Sequence, residues 1–333
     1  MLSIDSSKWE VVEEETSVVE EPVKENQNVS DLAFTKDKNQ IATPWHIVEF
    51  LSDLLDTKNK VVLDPTAGSG AMLVNCKKSV GIENDIKAFN LLSENNKTGV
   101  NVNDSIFSAD VKRWIKGQGI EVVLMNPPFN CKKDELSEDY KNRFGKKGQD
   151  STKGLYFVKY VADLVGSGML AAIVPVGAIG GGNKAIKEIQ KELLEKHTLK
   201  AVLSFNKYLF YPAVSVSVEC LIFELGKAHN EETWFADFSE DGLEMDRTKK
   251  CRTDKKNKWK DIKNEWLSLY IKKPTEEGKY ILKNIEDNDW SVGRNIVSNI
   301  DINPTEEDFR KVVEDYLSFK VNQIIHGRIT KDD

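Results

Sequence analysis

The 333-residue sequence predicts an α/β fold: a doubly wound, mostly parallel sheet of seven strands, followed by a polar C-terminal extension. Three observations predict it. Short runs of Val, Ile and Leu recur between residues 60 and 224 with little polar alternation, as strands covered on both faces require. Stretches with the period of an amphipathic helix lie between most of them. A glycine-rich turn follows the first run, at the place where doubly wound sheets receive nucleotide-like ligands.

Strands are expected at 60–64, 79–83, 105–109, 121–125, 169–174, 199–204 and 216–224. A helix is expected over 43–56, with Thr43 as its N-cap and Pro44 as its first helical residue, where a missing N–H does no harm. Its apolar stripe is Ile47, Phe50, Leu51, Leu54 and Leu55. Further helices are expected at 86–95, 153–165 and 184–196, and one at 305–325 after the start signal Asn303-Pro304.

Charge divides the chain into regions. Residues 10–25 hold seven glutamates and no aromatic, so 1–38 reads as a disordered acidic tail. Residues 39–225 carry the sheet pattern and form the expected catalytic domain. Residues 226–333 form an extension in which 247–263 holds nine Lys or Arg against two Asp, a solvated face or a DNA groove. The net charge of −7 runs against a plain nucleic-acid binder, but its segregation leaves room for a basic surface. No run of 18 apolar residues occurs, so no membrane span is expected. The start shows no signal-peptide pattern, and the four scattered cysteines suggest neither zinc nor disulfides; no metal site is expected, and the location is expected to be cytoplasmic.

Candidate site residues follow the strand ends. Asp64-Pro65-Thr66-Ala67-Gly68-Ser69-Gly70 closes the first strand, and Gly68 and Gly70 allow close backbone approach. Glu83 ends the second strand, placed to accept hydrogen bonds from ribose hydroxyls. Leu73 stands where a dinucleotide turn needs its third glycine, which favours a ligand with adenosine but no pyrophosphate. Asp110, expected just past the third strand, could accept from an adenine amino group. The fourth strand runs into Asn126-Pro127-Pro128-Phe129. The Asn126 side-chain oxygen and the Pro127 carbonyl can both accept from one –NH2 group, which favours a pyramidal nitrogen, and Phe129 can stack on its ring. Residues 130–150 read as a loop beside this site, either solvated connection or lid.

These segments, in this order, resemble the γ class of N6-adenine DNA methyltransferases: TPWHIVEFL, DPTAGSG, GIEND, SAD, NPPF and LFYPAVSVSVECLIFE. The resemblance covers about 38–225. Within the class the chain is most similar to modification subunits of type I restriction–modification systems, a likeness extended by YILKNIEDNDWSVGRNIVSNID near the C-terminus. It implies a Rossmann-like class I methyltransferase fold, S-adenosylmethionine as methyl donor, and N6 of a flipped adenine in double-stranded DNA as acceptor. It also implies a separate specificity subunit, with a restriction subunit as a further partner. Carried over, Thr43 and Pro44 would border the methionine end of the cofactor, and Asp64, Pro65, Thr66, Gly68 and Gly70 would cradle it. Glu83 would hold its ribose and Asp110 its adenine, while Asn126, Pro127, Pro128 and Phe129 would be catalytic. Tyr211 or Phe210 would stack on the opposite face of the flipped base. Ala42 departs from the aromatic that members often carry before Thr-Pro. Methyltransferases acting on rRNA or on protein glutamine share NPPF, and a catalytically inactive regulatory subunit is the remaining alternative.

Overall fold

The computed structural model describes residues 9–10, 41–144, 148–246, 248, 251–285 and 289–296, together with scattered positions between 306 and 318. Two compact units divide the chain, Met1–Ile296 and Val297–Asp333.

In the first unit the strands are β1 (Trp9–Glu10), β2 (Val61–Asp64), β3 (Lys78–Ile82), β4 (Val100–Val102), β5 (Val122–Met125), β6 (Gly168–Pro175), β7 (Thr198–Phe205), β8 (Val218–Leu225), β9 (Thr233–Phe238), β10 (Glu244–Asp246), β11 (Cys251–Thr253) and β12 (Tyr280–Lys283). Ten of them form one sheet in the order β1-β4-β3-β2-β5-β6-β8-β7-β9-β12, while β10 and β11 pair as a separate ribbon. From β4 through β6 every pairing is parallel, and β8 runs antiparallel between β6 and β7.

The helices are α1 (Trp45–Leu55), α2 (Ile86–Asn95), α3 (Ala109–Ile115), α4 (Glu138–Phe144), α5 (Leu155–Val165), α6 (Lys184–Lys196), α7 (Trp259–Lys272) and α8 (Val292–Asn295). Successive strand residues point to opposite faces, and each face buries its own core. Leu63, Val123 and Met125 pack with α3, α5 and α6. Val62, Val122 and Leu124 pack with α1 and α7. Among the described residues no helix is long and apolar enough to cross a membrane.

Several expectations need correction. The third strand is Val100–Val102, not 105–109. Ser108 caps a helix there, its hydroxyl accepting from the Asp110 backbone N–H at 3.3 Å, so the chain has already left the sheet. Pro44, not Thr43, is the N-cap of α1. Within the expected disordered tail, Trp9–Glu10 pairs antiparallel with β4; the rest of 1–40 lies outside the described residues.

No structural break falls at residue 225. β9 pairs parallel with β7, and β12 pairs antiparallel with β9, so much of the expected extension belongs to the same sheet. Of the helix expected at 305–325, Glu306, Phe309, Arg310, Val313, Glu314 and Tyr316 to Ser318 are described and are helical; its other positions lie outside the described residues.

Of the six described cations in the basic stretch, four are ion-paired. Arg252 pairs with Asp241, Lys255 with Asp246, Lys256 with Glu244, and Lys263 with Glu49 and Asp53. The segment expected as a loop at 130–150 contains a helical turn at Lys133–Glu135 and α4, with Tyr140 fully buried against Tyr156.

Candidate active site

In a parallel sheet the carboxyl ends of the strands share one edge, and the chain crosses over between β2 and β5 because it winds one way through β3 and β4 and the other way through β5 and β6. A cavity of about 530 Å³ opens there. Its size lies within the range of small-molecule sites, roughly 300–1,000 Å³. Asp64, Pro65, Thr66 and Gly68 enter it after β2, Glu83 after β3, Asp104 after β4, and Asn126 to Phe129 after β5. Thr43 closes it from the start of α1, and Phe210 from the segment after β7.

The charges in the cavity lean one way. Asp64, Glu83, Asp85, Asp104 and Glu135 line it against Lys132 alone. Polyphosphates are repelled by such a wall, whereas a ligand with cationic centres is drawn to it.

Glu83 is nearly buried. One carboxylate oxygen accepts from the Gly68 N–H at 2.9 Å and the other from the Asp85 N–H at 2.7 Å. Each oxygen keeps a lone pair, enough to receive a vicinal diol. Burial pushes its carboxyl above the ordinary range, opposed by those backbone N–H groups. Gly68 has φ of +55°, which turns its N–H toward Glu83 and presents bare backbone to the cavity. We expect Glu83→Ala to weaken binding of an adenosine ligand by ~1–3 kcal/mol, the cost of leaving polar groups unpaired. Calorimetry on the folded variant measures it, and unchanged affinity would take Glu83 out of the site.

Asp64 is more isolated. Its carboxylate accepts from the Thr66 N–H at 3.0 Å and is 1% exposed. Burial, helped by the negative charge of Glu83, pushes it up to about 7. Because the folded value lies above the unfolded one, the folded chain holds the extra proton between pH ~4 and ~7. Stability from this group is therefore full at low pH and falls as pH rises through about 7. Affinity for a cationic ligand should move the other way, rising through the same window as Asp64 ionises. Asp64→Asn is expected to flatten both profiles; a mutant that retains the wild-type binding profile would assign the titration to another group.

Asn126 ends β5 half-buried, and its Nδ2 donates to the Ile41 carbonyl at 3.3 Å and to Thr43 Oγ1 at 3.2 Å. With the amide nitrogen so engaged, Oδ1 is left for the cavity. Behind this turn sits a feature the sequence reading missed, Asp150-Ser151-Thr152-Lys153-Gly154. Asp150 accepts from the Thr152 and Gly154 N–H groups, both at 2.8 Å. Gly154 has φ of +91°, and a Cβ there would stand 3.3 Å from both Pro127 Cγ and the Pro128 carbonyl oxygen, so only glycine lets this loop pack behind the prolines. Its signal was the Asp-x-Thr-x-Gly spacing just before α5.

The remaining candidates divide. Gly70 and Pro44 do not line the cavity; Gly70 turns toward Leu92 of α2. Asp110 lies on the exposed first turn of α3, ion-paired with Arg113 and outside the cavity, while Asp104, after β4, lines it. Tyr211 is half-buried outside the cavity, and Phe210, 4% exposed, is the aromatic that reaches it. Cys131, Lys132 and Glu135 bring the start of the 130–150 segment to the rim.

The N-6 DNA methylase family matches residues 27–308, most of the chain. The chain belongs to this family. It is 27% identical over 318 residues to a type II restriction enzyme and methyltransferase of Heyndrickxia coagulans, covering 86% of this chain and 47% of that protein. A shorter match, 37% identical over 98 residues, covers 28% of the chain and 49% of a Methanocaldococcus jannaschii protein assigned as a protein N5-glutamine methyltransferase. Among solved structures, the type I restriction–modification methyltransferase subunit of Streptococcus thermophilus superposes with a TM-score of 0.60 at 20% identity, over 78% of this chain and 60% of that one. The chain spans less than half the length of the curated relatives it matches. The doubly wound class I methyltransferase fold expected from the sequence is the fold of this family member.

Proposed function

We propose that this N-6 DNA methylase family member transfers the methyl group of S-adenosylmethionine to the N6 amino group of adenine in double-stranded DNA, within a restriction–modification system. The observation that carries the proposal is the Asn126 amide at the lining of an acidic cavity, its nitrogen taken by Ile41 and Thr43 so that its oxygen is the acceptor left over.

The residues present fit the methyl donor. S-adenosylmethionine, when bound, supplies an electrophilic methyl group on a sulfonium. Its net positive charge suits a wall of five carboxylates and one lysine. Glu83 keeps lone pairs for the ribose, and the buried Thr66 hydroxyl has no partner of its own, so it is ready for one from the ligand.

This chain's residues would then act on the base. Phe129 and Phe210 supply aromatic surface at the cavity, and stacking of ~1–3 kcal/mol per base offsets much of the cost of extrusion. Asn126 Oδ1 and the Pro127 carbonyl accept the two amino hydrogens, which withdraws the nitrogen lone pair from the ring and aims it. Such fixed acceptors act through positioning and preorganised charge.

Sequence readout is assigned to a separate specificity subunit. Of the described elements after β8, β9 and β12 extend the sheet and α7 packs on α1, so these serve the core rather than base readout. A restriction subunit would complete such a system.

The test is transfer of labelled methyl groups by the chain to plasmid DNA, rRNA and ribosomal proteins in parallel, with and without a specificity subunit. Label in adenine of DNA, increased by that partner, is expected. Label in glutamine or RNA with none in DNA would overturn the reading.

A further inference from the structure

Asn126 is aimed by Ile41 and Thr43, and these in turn need a fixed support. Residues 41–44 lead directly into α1, whose first turn is anchored by Pro44, its carbonyl accepting from the Ile47 and Val48 N–H groups. The placement of α1 therefore sets the placement of Thr43.

One face of α1 is greased against the sheet by Ile47, Phe50 and Leu51. Apolar packing of this kind fixes depth but tolerates sliding and rotation, because it is non-directional. Most of the polar side-chain partners of α1 come from a segment distant in sequence. His46, 2% exposed, places Nε2 at 3.4 Å from Asp241 Oδ2, a close contact without hydrogen-bond geometry. Asp241, also 2% exposed, receives both Nη groups of Arg252, at 2.6 and 2.7 Å. Arg252 Nη2 further donates to the Leu243 carbonyl at 3.0 Å, which holds the guanidinium to the β10–β11 ribbon. A turn further along α1, Glu49 accepts from Trp259 Nε1 and from Lys263 Nζ, each at 2.7 Å. The Trp259 ring also stands edge-on to His46, with centroids 5.1 Å apart.

An ion pair buried this deeply adds little stability over an apolar replacement, and its clearest use is to fix one geometry. A bidentate guanidinium–carboxylate pair has the fork geometry for that. None of Asp241, Arg252, Trp259 or Lys263 lines the cavity.

We propose that the buried Arg252–Asp241–His46 relay, with Trp259 and Lys263 gripping Glu49, is a positioning device for methyl transfer: it fixes the first turn of α1, and through Thr43 the direction in which the Asn126 amide points. Arg252 and Asp241 are thus positioning residues acting through Thr43. The catalytic consequence rests on the function proposed above, while the structural link from Arg252 to Asn126 stands apart from it.

A double-mutant cycle on the full chain tests both. The single variants are Arg252→Gln and Thr43→Ala, read by kcat, by KM for the methyl donor, and by the NMR resonances of the Asn126 side-chain amide, assigned with Asn126→Asp. Arg252→Gln is expected to lower kcat by ~10-fold or more, with KM changed less, and to move the Asn126 amide resonances toward their position in Thr43→Ala. In the Thr43→Ala background the same substitution should cost less than ~2-fold, since residues acting along one path are not additive. Full additivity, or amide resonances left in place, would overturn the relay. If Arg252→Gln fails to fold, Trp259→Phe keeps the ring, removes the donor to Glu49, and runs through the same cycle with the same criteria. Resonances that move as expected in a chain that methylates no DNA would leave the relay standing and sink the proposed function instead.

Discussion

Asn126→Ala is expected to lower the methylation rate by at least ~100-fold while binding of the methyl donor stays nearly unchanged, as when a hydrogen-bonding group needed only in the transition state is removed. The structure gives the reason for the split. The amide nitrogen faces protein, donating to Ile41 and Thr43, so the oxygen is the atom left for the substrate amine. The groups proposed to hold the donor, Glu83 and Asp64, sit at the ends of other strands, with backbone partners that Asn126 does not supply. Single-turnover kinetics at saturating donor, with calorimetry for affinity, separates the two quantities. A variant within a few-fold of wild type in rate would mean that the Pro127 carbonyl suffices and that Asn126 has another role.

Trp290→Ala is expected to destabilise the chain by ~3–5 kcal/mol, the usual cost of deleting a fully buried aromatic, and to lower Tm by roughly 10 °C. The sequence reading placed this tryptophan in a C-terminal segment read only for its likeness to modification subunits. In the structure it is 0% exposed, packs against Phe223 of β8, and donates its backbone N–H to the Ile179 carbonyl at 3.0 Å. Just beyond it, the Val292 N–H donates to the carboxylate of Glu219, itself buried on β8. Burial pushes Glu219 up to about 8. The segment Asp289–Ile296 is thus part of the core around the sheet. Thermal unfolding measures the effect, and a Tm unchanged to within a degree would show that the segment does not dock in solution.

The strands that alternate with helices were legible because burial on both faces leaves an unbroken apolar run. KVVLD, EVVLM and MLAAIV coincide with β2, β5 and β6 to within two residues. The third strand was misplaced because Ile106 and Phe107 supply apolar character without belonging to the sheet, while β4 itself is only Val-Asn-Val. That slip placed the strand-end carboxylate at Asp110, whereas Asp104 is the one that lines the cavity.

After residue 226 charge masked pattern. Trp259, Ile262, Trp266 and Tyr270 lie at helical spacing within a run read for its lysines, and they bury α7 against α1. The stretch TWFADF, apolar but short, becomes β9 only because β7 offers it an edge. The strand-end residues that line the cavity, Asp64, Glu83 and Asn126, were legible from motif and topology together. The rotation of the Asn126 amide, the choice of Phe210 over Tyr211 and the Gly154 support were not, since each depends on contacts between segments distant in sequence.

The central claim is that Asn126 directs methylation of adenine N6 in DNA. Mapping methylated bases across the genome of cells carrying the wild-type gene, the Asn126→Ala gene or no copy tests it most directly. The account predicts N6-methyladenine at one defined sequence with wild type, and its absence from that sequence in the other two. Identical adenine methylation in all three, or a modified cytosine in place of adenine, would contradict it.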